Sequence, residues 1–361
     1  MQPFKLGKKK LKNKIVFLPL SLNWAENDGC LSNRWYSFYE RIAQGGCGMV
    51  VISGTAVSPE GKGSSHSLGL WDNKHVSVLK RLTNMLNLHN CYSSIQLMHV
   101  GGQGNPKFIH TEPVAPSRYF CKATGFQARE LSVLEIKSIQ NDFVDAACRA
   151  HKAGFCAVEL HLAHGYLLHQ FISPYFNKRT DQYSVNRKHG LQLIDDIISE
   201  IKVRVPEVTI GVRLSGEDFV DGGINVQANN FIVPLLESLG VGYISVTAGI
   251  YDSGTEKHKA MQTGMFFQYA KDIKKMTSAP VIGAGKVFSL QQADNYLCDE
   301  TCDLVGIGRA MVADPALVRK SLNGGSFNKC TECGNCQYLR FGKSEVNCPL
   351  YEETFACSDQ Y

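Results

Sequence analysis

The sequence predicts an α/β protein, a (β/α)8 TIM barrel over residues 1–322 followed by a short cysteine-rich extension over residues 323–361. Three observations support this fold class. Eight apolar runs rich in Val, Ile and Leu recur along the chain, helix-compatible segments separate most of them, and 361 residues suit eight strand–helix units. A doubly wound open sheet is the alternative, because periodicity alone does not show that a sheet closes.

The eight predicted strands occupy residues 14–20, 49–56, 93–100, 157–163, 208–215, 243–249, 279–285 and 304–310. Continuous apolar character along a strand indicates burial on both faces, which is typical of parallel sheets. Each connection between parallel strands needs a helix-sized segment, and the spacing provides one. No Pro-, Gly- or Ser-rich linker divides the chain before about Asn323, so we expect a single core.

The composition is that of an ordinary globular protein. Hydrophobic residues make up 44% and charged residues 20%, which argues against disorder and coiled coils. The net charge is +5, and the lysines clustered within residues 8–14 are typical of a solvated turn, so we expect no nucleic-acid partner. No signal-peptide pattern and no run of eighteen apolar residues occurs, which predicts a cytoplasmic protein without membrane association. A homo-oligomer is compatible with the sequence.

In a barrel of this kind, side chains at the carboxyl ends of the strands line the active site. The first predicted strand ends at Pro19, Leu20 and Ser21, and the second ends at Ala56. The other strands supply further polar or glycine positions at or near their ends. These are Gln96, His161, His164, Arg213, Gly283, Gly285, Lys286, Gly308 and Arg309.

Two glycine-containing segments end the last two strands, 281–286 (VIGAGK) and 305–309 (VGIGR). Glycine lets backbone amides approach a phosphate closely, and the loops after strands seven and eight are the usual phosphate site of such barrels. Glycines also end strands for steric reasons alone. Together with the basic residues Lys286 and Arg309, the pair of segments favours a phosphorylated cofactor.

Gln96 and Arg213 are polar side chains within predicted buried strands, so each needs a partner inside the barrel mouth. A flavin ring offers both donors and acceptors, and Arg213 would stabilise the negative charge that the ring gains on reduction. The alternative is an internal ion pair between Arg213 and Glu159.

Residues 161–166 (HLAHGY) place His161, His164 and Tyr166 where the fourth strand should end. Two histidines three apart could bind a metal, but no third ligand is evident nearby. Two imidazole donors to one carbonyl oxygen would polarise a conjugated double bond, and Tyr166 could then supply a proton. Buried core histidines with backbone partners are the remaining alternative.

Residues 158–174 (VELHLAHGYLLHQFISP) and 177–181 (NKRTD) resemble, almost throughout, the active-site signature of the old yellow enzyme superfamily. The resemblance is strongest to the branch of NADH:flavin oxidoreductases and 2,4-dienoyl-CoA reductase, and it covers roughly residues 1–350. Further similar segments follow in the same order. They are 15–20 (IVFLPL), 54–61 (GTAVSPEG), 96–101 (QLMHVG), 113–117 (PVAPS), 212–215 (VRLS), 303–309 (DLVGIGR) and 313–315 (ADP).

The resemblance implies FMN, with Ser21, Ala56, Gln96 and Arg213 around its ring system and the strand-seven and strand-eight loops on its phosphate. It also implies that His161 and His164 bind a substrate carbonyl and that Tyr166 is the proton donor. The expected reaction is hydride transfer from NADH or NADPH to FMN, and then to the β-carbon of an α,β-unsaturated carbonyl compound. Amine oxidation and a pure electron-transfer role in a larger complex are the alternative functions.

Four cysteines lie close together in the C-terminal segment, in the pattern Cys330-x2-Cys333-x2-Cys336-x11-Cys348. Four thiolates suit a [4Fe-4S] cluster or a tetrahedral zinc ion, and an empty thiol cluster is the third alternative. A similar motif in the long relatives of the family holds a [4Fe-4S] cluster that passes electrons to FMN. Those relatives continue into nucleotide-binding domains, so here an electron-donor protein, such as a ferredoxin or flavoprotein, is an expected alternative to the nicotinamides.

Overall fold

Eight short parallel strands form a closed barrel, which confirms the predicted fold class. The computed structural model describes residues 2–262, 264–336 and 345–352. Around the barrel the strands follow one another in chain order, and the eighth pairs with the first. They span Ile15–Phe17, Met49–Ala56, Tyr92–Met98, Ala157–Leu162, Thr209–Ser215, Tyr243–Thr247, Val281–Ala284 and Leu304–Ile307.

Helices pack around the outside of the barrel between successive strands. Their apolar faces are buried against it, as in Asn33–Gln44, where Trp35, Phe38 and Ile42 point into the core. The helix Val133–Lys152 begins at a reciprocal capping box of Ser132 and Glu135, which satisfies two backbone donors of its first turn. The other outer helices are Lys74–Leu88, Gln192–Arg204, Val226–Ser238, Met265–Lys274, Leu290–Cys298 and Leu317–Leu322.

The amino-terminal end of the barrel is closed by a hairpin of two strands, Phe4–Leu6 and Lys9–Leu11. Leu6 and Leu11 are buried in one cluster with the inward residues of the barrel strands, among them Val51 and Tyr243. The hairpin therefore plugs this end with apolar side chains and leaves the opposite end for polar groups.

Longer connections lie at the carboxyl ends of the strands. The third is followed by a small sheet of Val114–Ala115, Tyr119–Cys121 and Phe126–Glu130, and the sixth by the short helix Glu256–Gln262. None of the helices in the described parts of the chain combines the length and apolar character needed to cross a bilayer.

The described residues of the C-terminal segment pack against the barrel near its first strand. The Trp24 indole N–H donates to the Val346 carbonyl at 3.0 Å, and Arg34 forms a 2.7 Å ion pair with Glu345. These contacts hold Glu345 and Val346, just before Cys348, against the residues that follow the first strand.

Candidate active site at the carboxyl ends of the strands

Strand register brings the predicted polar residues of three neighbouring strands together. Gln96 on the third strand pairs in register with Glu159 on the fourth, and His161 on the fourth with Arg213 on the fifth. Because the strands are parallel, their polar carboxyl ends lie at the same mouth of the barrel. Residues far apart in the sequence thus form one cluster.

Arg213 is a buried cation with few partners. Its side chain is 8% exposed, and its guanidinium donates to the Ser245 hydroxyl at 3.3 Å. This is the one hydrogen bond of that side chain within the described residues, although a guanidinium has five N–H donors. The Glu159 carboxylate accepts from the Gln96 amide at 2.7 Å instead of forming an ion pair with Arg213 within 4.0 Å. Burial lowers the pKa of Arg213, an effect that Glu159 partly offsets.

A second cation shares the barrel mouth. Lys257, in the helix after the sixth strand, lies over Gly249, where an added Cβ would come within 2.6 Å of the lysine side chain. Burial, together with the charge of Arg213, lowers the pKa of the Lys257 ammonium to about 8. Neither cation has a carboxylate partner among the residues described, so the mouth is suited to a ligand that carries negative charge.

His161, His164 and Tyr166 form a compact group around the end of the fourth strand. His164 and Gly165 adopt left-handed backbone conformations (φ +61° and +75°), which turn the chain sharply after the strand. The turn brings His164 Nδ1 to 3.3 Å from His161 Nε2, and the ring centroids of His161 and Tyr166 to 4.8 Å. The His164 Nε2 atom lies 2.9 Å from the Thr247 hydroxyl on the sixth strand.

Both imidazoles of this group are neutral at ordinary pH. Burial lowers the pKa of His161 well below its usual value, and the charge of Arg213 adds to the effect. Burial also lowers the pKa of His164, with Lys257 as the next cause. Among the residues that the structure describes, the buried His161 Nδ1 has no hydrogen-bond partner. Neutral imidazoles keep one N–H donor each, and the described residues offer no third ligand that would make the pair a metal site.

Three residues near this group escaped the sequence analysis: Gln103, Tyr251 and Lys257. The Tyr251 hydroxyl lies 3.2 Å from that of Tyr166, and Gln103 donates to the His164 carbonyl at 2.9 Å. All three lie in connections after strands, where the sequence shows no periodicity. For Tyr251, the signal that could have found it is its position just beyond the sixth predicted strand.

The predicted phosphate loops lie side by side after the seventh and eighth strands. Gly285 (φ +134°) and Lys286 (φ +51°) form a turn that ordinary residues rarely adopt, and Gly308 precedes the short helix Arg309–Ala313. At Gly283 the glycine is required for packing, because a Cβ would come within 2.8 Å of the Phe267 ring. The steric explanation therefore holds at that position.

The predicted residues of the first two strands reach the same edge of the barrel. Pro19 and Leu20 are half-buried, Ser21 is exposed, and Ala56 is buried at the end of the second strand. An added Cβ on Gly308 would lie 3.5 Å from Leu20, so the first and eighth strands end next to each other.

The four cysteines of the C-terminal motif line one cavity, together with Arg309 and Glu332. Glu332 lies between Cys330 and Cys333 in the sequence, and its carboxylate is 2.6 Å from the Lys286 ammonium and 3.8 Å from the Arg309 guanidinium. Burial raises the pKa of the Cys336 and Cys348 thiols. As they stand, no three metal-binding side chains of residues 2–262, 264–336 and 345–352 are grouped to hold a single ion.

Comparison with curated proteins finds relatives along nearly the whole chain. The chain is 34% identical to an NADH oxidase of Thermoanaerobacter brockii over 336 residues, which cover 91% of this chain and 52% of that protein. It is 33% identical to an NADPH dehydrogenase of Listeria innocua serovar 6a over 319 residues, covering 88% of this chain and 92% of that protein. The chain therefore spans about half of one relative and nearly all of the other.

Comparison with solved structures gives the same picture. A 2-naphthoyl-CoA reductase in complex with 2-naphthoyl-CoA superposes with a TM-score of 0.91 at 25% identity, covering 96% of this chain and 56% of that one. An old yellow enzyme homologue of Zymomonas mobilis shares the fold, with a TM-score of 0.77 at 24% identity over 91% and 93% of the two chains. The family model of the NADH:flavin oxidoreductase / NADH oxidase family matches residues 1–326. The chain belongs to this family of flavin oxidoreductases.

Proposed function

We propose that this protein is an FMN-dependent ene-reductase that acts on an α,β-unsaturated carbonyl compound. The observation that carries the proposal is the group of His161, His164 and Tyr166 at the barrel mouth, beside the buried Arg213. When bound, FMN would accept hydride from NADH or NADPH and pass it to the β-carbon of the alkene.

The residues at the barrel mouth fit an anionic aromatic cofactor. Arg213 is buried with a single hydrogen bond among the described residues, Lys257 lies near it, and Gln96 presents an amide from the third strand, two strands away. A ring system with acceptors at one edge would satisfy the guanidinium donors and offset the repulsion between the two cations. The residues that would hold the rest of FMN are Pro19, Leu20, Ser21, Ala56, Gly283, Gly285, Lys286, Gly308 and Arg309.

Neutral histidines suit the proposed substrate clamp. An N–H donor from each of His161 and His164 would bind the carbonyl oxygen and stabilise the negative charge that develops there during hydride transfer. The hydroxyl of Tyr166 would then donate its proton to the α-carbon. This arrangement polarises a conjugated alkene, and it gives no comparable advantage to oxidation of a C–N bond.

The test is anaerobic mixing of the reduced holoenzyme with activated alkenes: a cyclohexenone, a steroid enone and an enoyl thioester. We expect at least one to reoxidise the flavin. Tyr166→Phe should slow that reaction by about 10² or more, the usual contribution of a positioned acid, while flavin reduction by nicotinamide stays unchanged. Tyr183→Phe, at a fully buried tyrosine whose ring packs against Phe171, is the matched control. Reoxidation only by oxygen or by a protein partner, or reduction of the flavin by an amine with no reoxidation by any alkene, would overturn the proposal.

We also propose that Cys330, Cys333, Cys336 and Cys348 bind a [4Fe-4S] cluster that relays electrons to FMN, from a donor protein if not from a nicotinamide. Support comes from the four thiols lining one cavity next to the predicted phosphate loops. The same proposal includes the domain boundary at residue 322, between the FMN barrel of residues 1–322 and the cysteine segment of residues 323–361. The helix Leu317–Leu322 ends at this boundary. Iron and sulfide are to be assayed in the anaerobically purified wild type and in Cys348→Ser. Cys298→Ser, which replaces an exposed cysteine outside the motif, is the control. Zinc alone, or no metal, would refute it.

A further inference from the structure

The hydroxyl of Tyr251 is placed to serve the proton donor. Its oxygen lies 3.2 Å from that of Tyr166, with the ring centroids 6.0 Å apart and the rings inclined at 70°. Both side chains are half-buried, so the hydrogen bond lies in the barrel mouth at the boundary with solvent. Tyr251 comes from the connection after the sixth strand, 85 residues from Tyr166 in the sequence.

Gln103 fixes the two tyrosines relative to one another. Its buried side chain accepts from the Tyr251 backbone N–H at 3.3 Å and donates to the His164 carbonyl at 2.9 Å. One amide thus bridges the turn that carries Tyr166 and the turn that carries Tyr251. The second turn is also held by Ser253, whose hydroxyl accepts from the Ile250 N–H and donates to the Asp218 carbonyl. The contact between the two phenols is therefore defined by buried hydrogen bonds on both sides.

The proposed reaction deprotonates the Tyr166 hydroxyl. When its O–H bond breaks and a C–H bond forms at the α-carbon of the substrate, the phenol oxygen becomes negatively charged. A neighbouring hydroxyl that donates to this oxygen stabilises the charge as it develops, and it can then transfer its own proton.

We propose that Tyr251 is the residue through which Tyr166 regains its proton, an inference that rests on the proposed function. The Tyr251 hydroxyl donates to Tyr166 during proton transfer to the substrate, and its proton then moves to the Tyr166 oxygen. Water returns the proton to Tyr251. Hydride and proton both end in the product, so each turnover takes up one proton from solvent through the pair of tyrosines.

The neighbouring residue, Asp252, is not a competing proton donor. Asp252 lines an open cavity of about 590 Å³ beside the barrel mouth. Its carboxylate already accepts from the Tyr119 hydroxyl at 2.6 Å and from the Tyr175 hydroxyl at 3.0 Å. Asp252 therefore anchors the loop from which the Tyr251 hydroxyl contacts Tyr166.

The experiment compares Tyr251→Phe with the wild-type holoenzyme, each at full FMN content. We expect alkene-dependent flavin reoxidation to slow about tenfold, since a hydrogen bond to a charged oxygen contributes roughly this factor. Flavin reduction by nicotinamide should not change. In steady state, small acids such as imidazolium should restore the turnover of this variant and leave the wild type unaffected. Tyr175→Phe removes a hydroxyl that donates to Asp252 of the same loop without changing Tyr166 or Tyr251, and it should behave as wild type.

The double variant Tyr166→Phe with Tyr251→Phe separates a proton path from a structural effect. If Tyr251 acts only through Tyr166, the double variant is no slower than Tyr166→Phe alone. Any of four results would overturn the inference. They are additive rate losses in the double variant, a wild-type rate in Tyr251→Phe, no rescue of Tyr251→Phe by small acids, and equal slowing in Tyr175→Phe. If the wild type reduces alkenes, such a result refutes the Tyr251 role alone. If no alkene reoxidises the flavin, the proposed function fails and the inference with it.

Discussion

At the scale of single residues, the site is defined by polar groups whose burial is not compensated inside the protein. Within the described part of the chain, Arg213 and Lys257 are cations without a carboxylate partner, and the buried His161 Nδ1 has no hydrogen-bond partner. Such groups are costly in a folded protein unless a ligand satisfies them. That Arg213 and His161 are polar residues of the site could be predicted from the sequence. The lack of partners could not, because it depends on which side chains the other strands contribute.

Replacing Arg213 with Met should stabilise the apoprotein and weaken FMN binding. The buried guanidinium costs desolvation energy and repels Lys257, so its removal should raise the free energy of unfolding by about 1 kcal/mol or more. Without the positive charge, the affinity for FMN should fall about tenfold or more. Thermal unfolding with and without FMN, and a flavin fluorescence titration, measure both effects. Arg213→Lys is the control that keeps the charge, and an apoprotein destabilised by Arg213→Met would contradict the prediction.

At the scale of elements, the loops after the seventh and eighth strands are joined electrostatically to the cysteine segment. Glu332 contacts both Lys286 and Arg309, the two basic residues that the sequence assigned to a phosphate. The glycine segments indicated where these loops lie, since strand ends are visible in the apolar pattern. The contact between Lys286 and Glu332 could not be predicted from the sequence. It joins residues 46 positions apart through the packing of the C-terminal segment onto the barrel.

Replacing Glu332 with Gln should strengthen the binding of FMN but not of riboflavin. The carboxylate neutralises the cations and would repel a phosphate placed there, whereas riboflavin has no phosphate. Because Glu332 is partly exposed, the expected gain is modest, about fivefold at low salt and less at high salt. Fluorescence titration of the apoprotein with the two flavins tests it, with the exposed Glu300→Gln as control. An equal gain for both flavins would show that Glu332 does not act through the phosphate.

At the scale of the whole molecule, the barrel keeps several histidines neutral in its interior. Burial lowers the pKa of His99 to about 4, and the pKa values of His161 and His164 are lowered as well. The folded state therefore binds fewer protons than the unfolded state between about pH 6.5 and pH 4. The stability that these groups confer is complete above pH 6.5 and is lost as the pH falls toward 4.

We therefore expect the free energy of unfolding to decrease with acidification, with His99 alone accounting for about 3 kcal/mol between pH 7 and pH 4. His99 accepts a hydrogen bond from the Gly101 N–H at 3.0 Å, and an asparagine oxygen can replace that acceptor. Urea unfolding of wild type and His99→Asn at pH 7 and pH 5 measures the difference, since the carboxylates contribute equally to both proteins. Parallel pH profiles would contradict the assignment to His99.

The sequence by itself determined the eight strands and the positions of most polar groups at the strand ends, and it favoured a barrel whose closure only the structure showed. Apolar runs with helix-sized spacing are local patterns, and parallel strands place their carboxyl ends at one mouth whatever the details of packing. Only the tertiary structure decided that Glu159 pairs with Gln96 and not with Arg213, that Lys257 enters the barrel mouth, and that Tyr251 contacts Tyr166. These relations join connections that follow different strands, and their geometry comes from how the loops pack on a closed barrel, which no local pattern encodes.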